Sequence, residues 1–240
     1  MRASTTFDGL LGVDTATADA TAAVTLGGKL VSERSASPGE DGRPRHARAL
    51  LAEIEAAVGE AGGWERIAAI AVGIGPGTFT GLRVGIATVR AVAQARGLAV
   101  IAVDSLAALA LGISKSQGDG RMRLPLIDAR RGEAFAALHA ADDAVLWQPF
   151  VAAPGELCER IAELGQAPVA AGDGSLRFRR QLEAAGVEVL ADADPAHRMA
   201  ARYICALGAE AEAGQLKLAT PLYLRRPDAE VWREQRHRNS

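Results

Sequence analysis

The chain has 240 residues, of which 49% are hydrophobic, 23% charged and 4% aromatic, and 27 Lys and Arg against 29 Asp and Glu leave a formal net charge of −2. That length suits one large domain or two modest ones, and the composition is that of a globular protein poor in aromatics. The slightly acidic balance gives no global basic field of the kind that marks a nucleic-acid binder, which normally carries a visible excess of Lys and Arg, so any RNA is expected to be served through a partner.

Residues 1–8 read as a loose extension, and "MRASTTFDGLLGVD" has one Arg and no apolar core of signal-peptide length. "LLGVDTA" (Leu10–Ala16), "ATAAVTLGG" and "KLVSERSA" read as three strands. Gly27-Gly28 is a tight hairpin signal between the last two, which makes an antiparallel meander. "SPGEDGRPR" (Ser37–Arg45) is loop by its Pro and Gly content. From Pro44 the pattern turns helical. Ala47, Leu50, Leu51, Ile54 and Val58 recur at helix-face spacing until Gly59, Gly62 and Gly63 stop the run. "RIAAIAVG" (Arg66–Gly73) reads as a buried strand, followed by a helix over Thr80–Arg96 and the strand "LAVIAV" (Leu98–Val103).

A second set of elements begins at Asp104. "DSLAALALG" starts a helix with Asp104 or Ser105 as its N-cap, and "SKSQGDGR" (Ser114–Arg121) reads as a polar loop. The segment "MRLPLIDARRGEAFAALHAADDAVLWQPF" gives three strands with "IDARRGE" and "ADDA" at the turns. A helix over Pro154–Leu164, the strand "PVAAG", a helix after Gly174 and the strand "VEVL" follow, then the helix "AARYICALGAEAEAG" and the tail "PLYLRRPDAEVW". The second half repeats the plan of the first, antiparallel strands and then helix–strand alternation, without a detectable sequence repeat. No apolar run approaches the roughly 18–20 residues that span a bilayer. Cys158 and Cys205 form no C-x-x-C pair and read as two reduced thiols. The expectation is a soluble cytoplasmic protein.

The stretch "GIGPGTFTGLRVG" holds glycines at Gly73, Gly75, Gly77, Gly81 and Gly85. Glycine inside an element is destabilising by roughly 0.5–1 kcal/mol relative to alanine, so the cluster needs a geometric reason. It is no P-loop, because no G-K-[ST] follows, and Pro76 removes a donor where a phosphate would want one. Close approach is the better reading. Gly81 and Gly85 share a helix face continued by Thr88 and Val92, while Leu82, Ile86, Val89 and Ala93 form an apolar stripe. A helix this apolar is covered on two sides, by its sheet and by a helix of the same or a neighbouring chain. The four histidines, His46, His139, His197 and His237, include no pair four apart, so no metal site is expected. Neither H-E-x-x-H nor a nucleophile motif is present, and Ser105 beside Asp104 reads as a cap.

"GPGTFTGLRVG" resembles the G-P-G-[ST]-F-T-G-[LV]-R-[IV]-G signature of the TsaB family, the dimerisation subunits of the bacterial tRNA threonylcarbamoyladenosine (t6A) machinery. "GVDTAT", "RHARALLAEI", "IDARRGEAF" and "PLYLR" agree, and the likeness covers about residues 10–226. It departs from the family in the N-terminal extension and at Ala47, where Ser or Thr is frequent. The resemblance implies an α/β, actin-like ATPase fold of the sugar-kinase and Hsp70 superfamily, in two related lobes with mixed sheets. Residues 1–103 would form the N-terminal lobe with the docking helices. Residues 104–240 would form the smaller C-terminal lobe, with its last helix and tail packing back on the first. It also implies a noncatalytic subunit that activates a TsaD-like catalytic paralogue, with a TsaE-like ATPase as third member and a homodimer when the chain is alone. tRNA would be reached through the complex and no membrane is involved.

The partner contact is expected among His46, Leu50, Leu51, Ile54, Gly81, Leu82, Gly85 and Ile86, with both helix stripes open as the docking side. Positions that could hold nucleotide in such a fold are Asp14 at the first phosphate loop, Gly75, Gly77 and Thr78 in the glycine loop, and Gly172 and Gly174 in "AGDGS". No cofactor is expected beyond weak ATP or ADP binding or a nucleotide at a complex interface. The alternative is a stand-alone actin-fold ATPase or phosphotransferase. The clusters Arg121/Arg123, Arg130/Arg131 and Arg177/Arg179/Arg180 are the places where RNA contact would contradict a pure scaffold.

Overall fold

In the computed structural model, which describes residues 7–117, 120–211 and 219–224, β1 (Gly9–Asp14) is the middle strand of the first sheet. It is buried along its whole length because both its faces are covered. β2 (Ala20–Leu26) pairs antiparallel with it and β3 (Lys29–Ala36) antiparallel with β2. β4 (Ala69–Gly73) and β5 (Ala99–Val103) continue the sheet in parallel on the other side. The order is β3-β2-β1-β4-β5. The second sheet is built from β6 (Arg123–Arg130), β7 (Glu133–His139), β8 (Val145–Ala152), β9 (Val169–Ala171) and β10 (Glu188–Val189). Its order, β8-β7-β6-β9-β10, is the same plan with the same parallel and antiparallel pairings. Two successive lobes of one topology make the actin-like architecture.

Alternation along the strands decides which helix lies on which face. Leu11, Val13, Val24, Ile70 and Val72 point to the outer side, where α1 (His46–Glu60) and α2 (Phe79–Arg96) bury Leu50, Ile54, Val58, Ile86 and Val89. Leu10, Ala23, Ala71 and Ile101 point to the other side. There they meet α3 (Ser105–Gln117) and α7 (Ala201–Ala209) through Leu106, Leu109, Ile204 and Cys205. The same cluster continues into Ile127, Phe135 and Ala137 of the second sheet, so α3 and α7 lie between the sheets. α4 (Pro154–Ala162) and α6 (Arg179–Ala184) cover the far face through Leu157, Ile161 and Leu182.

Three element boundaries differ from the sequence expectation. α3 runs on through Ser114–Gln117, because Ile113 and Ser114 are buried and carry its apolar face past the polar letters. Trp64–Arg66 form a 3-10 turn, so β4 starts at Ala69. The helix expected after Gly174 starts at Asp173 as α5 (Asp173–Arg177) and breaks before α6 at Phe178, whose ring is buried. The expected helix beyond residue 211 and the tail beyond Leu224 lie outside the described residues. Among the described residues, no helix is long and apolar enough to cross a membrane.

Candidate functional site

β1 ends on Asp14, which is 1% exposed. Ser105 Oγ donates to Asp14 Oδ2 at 2.6 Å and the Ala16 N–H donates to Oδ1 at 2.7 Å. Ser105 is itself pinned to the glycine loop, accepting from the Gly75 N–H at 3.1 Å and donating its own N–H to the Gly75 carbonyl at 2.9 Å. Burial pushes the Asp14 carboxyl up to about 6, the bonds from Ser105 and Ala16 pull it back, and the charge of Asp104 adds to the rise. The expected cap is therefore divided. Asp104 caps α3, accepting from the Ala107 N–H at 3.0 Å, and the Ser105 hydroxyl serves Asp14 instead.

The loop after Asp14 is clasped against the start of α2. The Thr78 N–H donates to the Ala16 carbonyl at 2.8 Å, and Thr15 Oγ1 donates to the Gly81 carbonyl at 2.8 Å. His46 Nε2 lies 3.1 Å from the carbonyls of both Ala18 and Asp19. Burial lowers its pKa, and because both neighbours are carbonyl oxygens, Nε2–H is the donor. A Cβ on Gly77 would collide with Ala16, one on Gly81 with the Thr15 carbonyl, and one on Gly85 with the Thr15 side chain. The glycines are thus explained by close approach, but the approaching backbone is the chain's own.

This corrects two readings. Gly81 and Gly85 do not open α2 to a partner, because Thr15 already fills that face. Leu50, Ile54, Leu82 and Ile86 are buried in the lobe's own core and His46 is held by the β1–β2 loop, so the stripe they mark faces inward. Of the expected contact residues only Leu51 stands on the outer face, 53% exposed, and Ala47 of α1 and Ala87 and Ala91 of α2 are exposed as well. The residues expected to hold a phosphate in the first lobe make contacts within the protein. Both Asp14 oxygens are engaged inside the protein, and Gly77 and Thr78 rest directly on Ala16.

In the second lobe Gly172 and Gly174 serve packing too. A Cβ on either would strike the backbone of β6 at Leu126 and Ile127. The Gly172 N–H donates to His197 Nδ1 at 3.2 Å, and His197 Nε2 donates to the Leu190 carbonyl at 3.1 Å, so both ring nitrogens are engaged within the lobe. Asp173, with a pKa raised by burial, accepts from the Asp128 N–H at 2.9 Å. Asp128 holds two guanidinium groups on one oxygen, Arg177 at 2.9 Å and Arg130 at 3.3 Å. Arg130 and Arg131 have φ of 63° and 53°, a left-handed geometry with no signal in the residue pattern around them.

Three more residues of the basic clusters are tied structurally. Arg121 pairs with Glu188, the buried Arg123 with Asp143 and the Ala140 carbonyl, and Arg179 with Glu183 and Asp192. Among the described residues no three of His, Cys, Asp and Glu gather as metal ligands, and His237 lies outside them. Cys158 and Cys205 are free thiols, and burial pushes Cys205 up to about 12. The tail returns to the first lobe. The Leu222 N–H donates to the Ile74 carbonyl at 2.8 Å, and the Tyr223 ring centroid lies 4.9 Å from that of Phe79 at the start of α2.

The fold and this clasped loop define a two-lobed, actin-like protein with two helices that present exposed residues on the outside of its first lobe. Known proteins resemble this chain. A family described as "TsaD: tRNA N6-adenosine threonylcarbamoyltransferase" matches residues 38–231. The chain is 30% identical over 224 residues to the tRNA threonylcarbamoyladenosine biosynthesis protein TsaB of Escherichia coli (strain K12), covering 90% of this chain and 94% of that one. It is 27% identical over 166 residues to the protein of the same name from Bacillus subtilis (strain 168), covering 68% and 71%. The solved structure of YeaZ from Pseudomonas aeruginosa matches with a TM-score of 0.73 at 28% identity, over 90% of this chain and 100% of that chain. The chain belongs to the TsaB family of tRNA threonylcarbamoyladenosine biosynthesis proteins.

Proposed function

We propose that this chain is a noncatalytic subunit of a cytoplasmic complex that makes threonylcarbamoyladenosine at adenosine 37 of tRNA. Its role is to dock and activate a TsaD-like catalytic subunit, on which the adenosine N6 attacks threonylcarbamoyl-adenylate. The observation that supports a scaffold over an enzyme is the clasp around Asp14. The loop that would cradle a phosphate in an actin-like fold is packed onto the glycine loop, and its carboxylate is held by Ser105 and Ala16. On this reading the chain uses no cofactor of its own beyond weak ATP or ADP binding or a nucleotide at the complex interface.

The docking face is the outer surface of α1 and α2 around Ala47, Leu51, Ala87 and Ala91. The small side chains along it let another helix pair lie close. The same face pairs two copies when the catalytic subunit is missing, and a TsaE-like ATPase joins the assembled pair. The test is co-purification with the TsaD-like paralogue from the same cell, followed by reconstitution of the modification on tRNA. Complex formation and a modification that needs both chains are expected. ATP turnover by the purified chain alone, with no complex, would favour a stand-alone actin-fold ATPase and overturn the reading.

A further inference from the structure

We infer that the β6–β7 turn and α5, with Arg180 at the start of α6, form a corner that holds the phosphodiester backbone of tRNA in the assembled complex. This rests on the reading of the chain as a t6A subunit. The turn is a two-residue hairpin in which Arg131 and Gly132 take φ of 53° and 81°, between the paired residues Arg130 and Glu133. Such a turn is met without strain by Asn-Gly or Gly-Gly. Here Arg occupies the first left-handed position and, in Arg130 at φ 63°, the residue before it as well. Non-glycine residues rarely adopt this region, and strain of this kind persists where a side chain must be aimed.

The aim is shared. Arg130 and Arg177 both lean on Asp128 Oδ2, which is buried, while their own side chains are 57% and 45% exposed. One carboxylate thus orients two guanidinium groups and neutralises only one of them. Arg180 stands three residues beyond Arg177 and pairs with no carboxylate among the described residues. The acidic groups nearby are Asp128 itself, Asp173, which is tied to the Asp128 amide, Glu133, and Asp192 and Glu183, which Arg179 holds. These arginines are spread along a turn and two helices instead of converging on a point. That spacing suits an extended polyanion better than a small anion, and guanidinium pairs with phosphate through two parallel bonds.

The test uses the full chain assembled with its catalytic partner and measures tRNA affinity across a salt series, comparing wild type with Arg131→Asn/Arg180→Gln. Asn accepts the left-handed turn, so the variant should melt at or above the wild-type temperature and should assemble normally. Its tRNA affinity should fall several-fold, and the slope of log K against log salt should become shallower by about one for each phosphate no longer neutralised. Unchanged affinity and slope in an intact complex would overturn the inference while leaving the subunit reading in place. Loss of assembly with unchanged RNA affinity would also overturn it, in favour of an acidic protein surface at this corner. A wild-type chain that forms no such complex would bring down the subunit reading, and this inference with it.

Discussion

Asp14 is a carboxylate sealed inside a protein at a cost that pH can reveal. Its folded pKa, about 6, lies above the ordinary value of 3.8. The folded protein therefore holds a proton that the unfolded chain has released between those two values. The stability this contributes is fully present below the lower value and is lost as pH rises through the upper one. The difference corresponds to about 3 kcal/mol carried against the fold at neutral pH. Asp14→Asn keeps an acceptor for Ala16 but cannot ionise. We expect it to gain about 1–2 kcal/mol over wild type at alkaline pH, after losing the charged bond to Ser105, and to show no gain near pH 4. Urea unfolding of both proteins at each pH checks this. His46, whose pKa burial lowers, acts in the opposite sense as pH falls through its ordinary value of 6.5. Comparing the two proteins at one pH removes its effect. Thr15 and Gly85 give a second residue-scale expectation. Gly85→Ala forces the Thr15 side chain aside and breaks its bond to Gly81, costing about 1–3 kcal/mol. In Thr15→Ala the added methyl group meets less, so the double variant should be more stable than the sum of the singles. Simple additivity in the double-mutant cycle would contradict the contact.

At the scale of the element, α1 sorts two neighbouring leucines to opposite fates. Leu50 is 1% exposed against the sheet and Leu51 is 53% exposed on the far side of the same turn. Helical periodicity demands that division, since adjacent residues lie about 100° apart around the axis. Leu50→Ala should cost about 2–5 kcal/mol, as buried leucine truncations do. Leu51→Asp should change the stability of the isolated chain by no more than about 0.5 kcal/mol. It should nevertheless abolish co-purification with the catalytic subunit and leave tRNA unmodified. Melting curves with a pull-down read both effects. A Leu51→Asp chain that still pairs and still supports modification would move the docking surface away from α1.

For the whole molecule, the decisive feature is that α3 and α7 are shared. One core cluster joins Leu10 and Ala71 of the first sheet to Ile127 and Phe135 of the second through these helices. Arg202 on α7 is bonded to Glu33 of β3, and Arg198 before it reaches Asp19 and Ser37. Neither lobe can lose its partner and keep both faces of its sheet covered. The chain should therefore unfold in one cooperative step, with the same midpoint by circular dichroism and by Trp fluorescence. Two resolved transitions would show that the lobes fold separately.

The element order and its repetition were legible in the sequence because alternation, helical spacing and Gly or Pro punctuation are local properties of a few adjacent residues. The glycine stretch was legible as a close approach for the same reason, since a run of residues without side chains announces that something comes near. What came near was not legible, for Thr15 lies 66 positions from the Gly81 carbonyl it bonds. Ser105 and Asp14 are 91 positions apart, and a serine beside an aspartate at a helix start looks like a cap from sequence alone. The two left-handed arginines read as ordinary turn charges, because nothing in the letters R-R-G sets the sign of φ. Local sequence thus determined which segments are strands and helices. Only the folding of each lobe's elements onto one another decided which stripe faces inward, that the loop after Asp14 packs on the glycine loop, and which arginines share Asp128, because those outcomes depend on contacts between residues far apart in the chain.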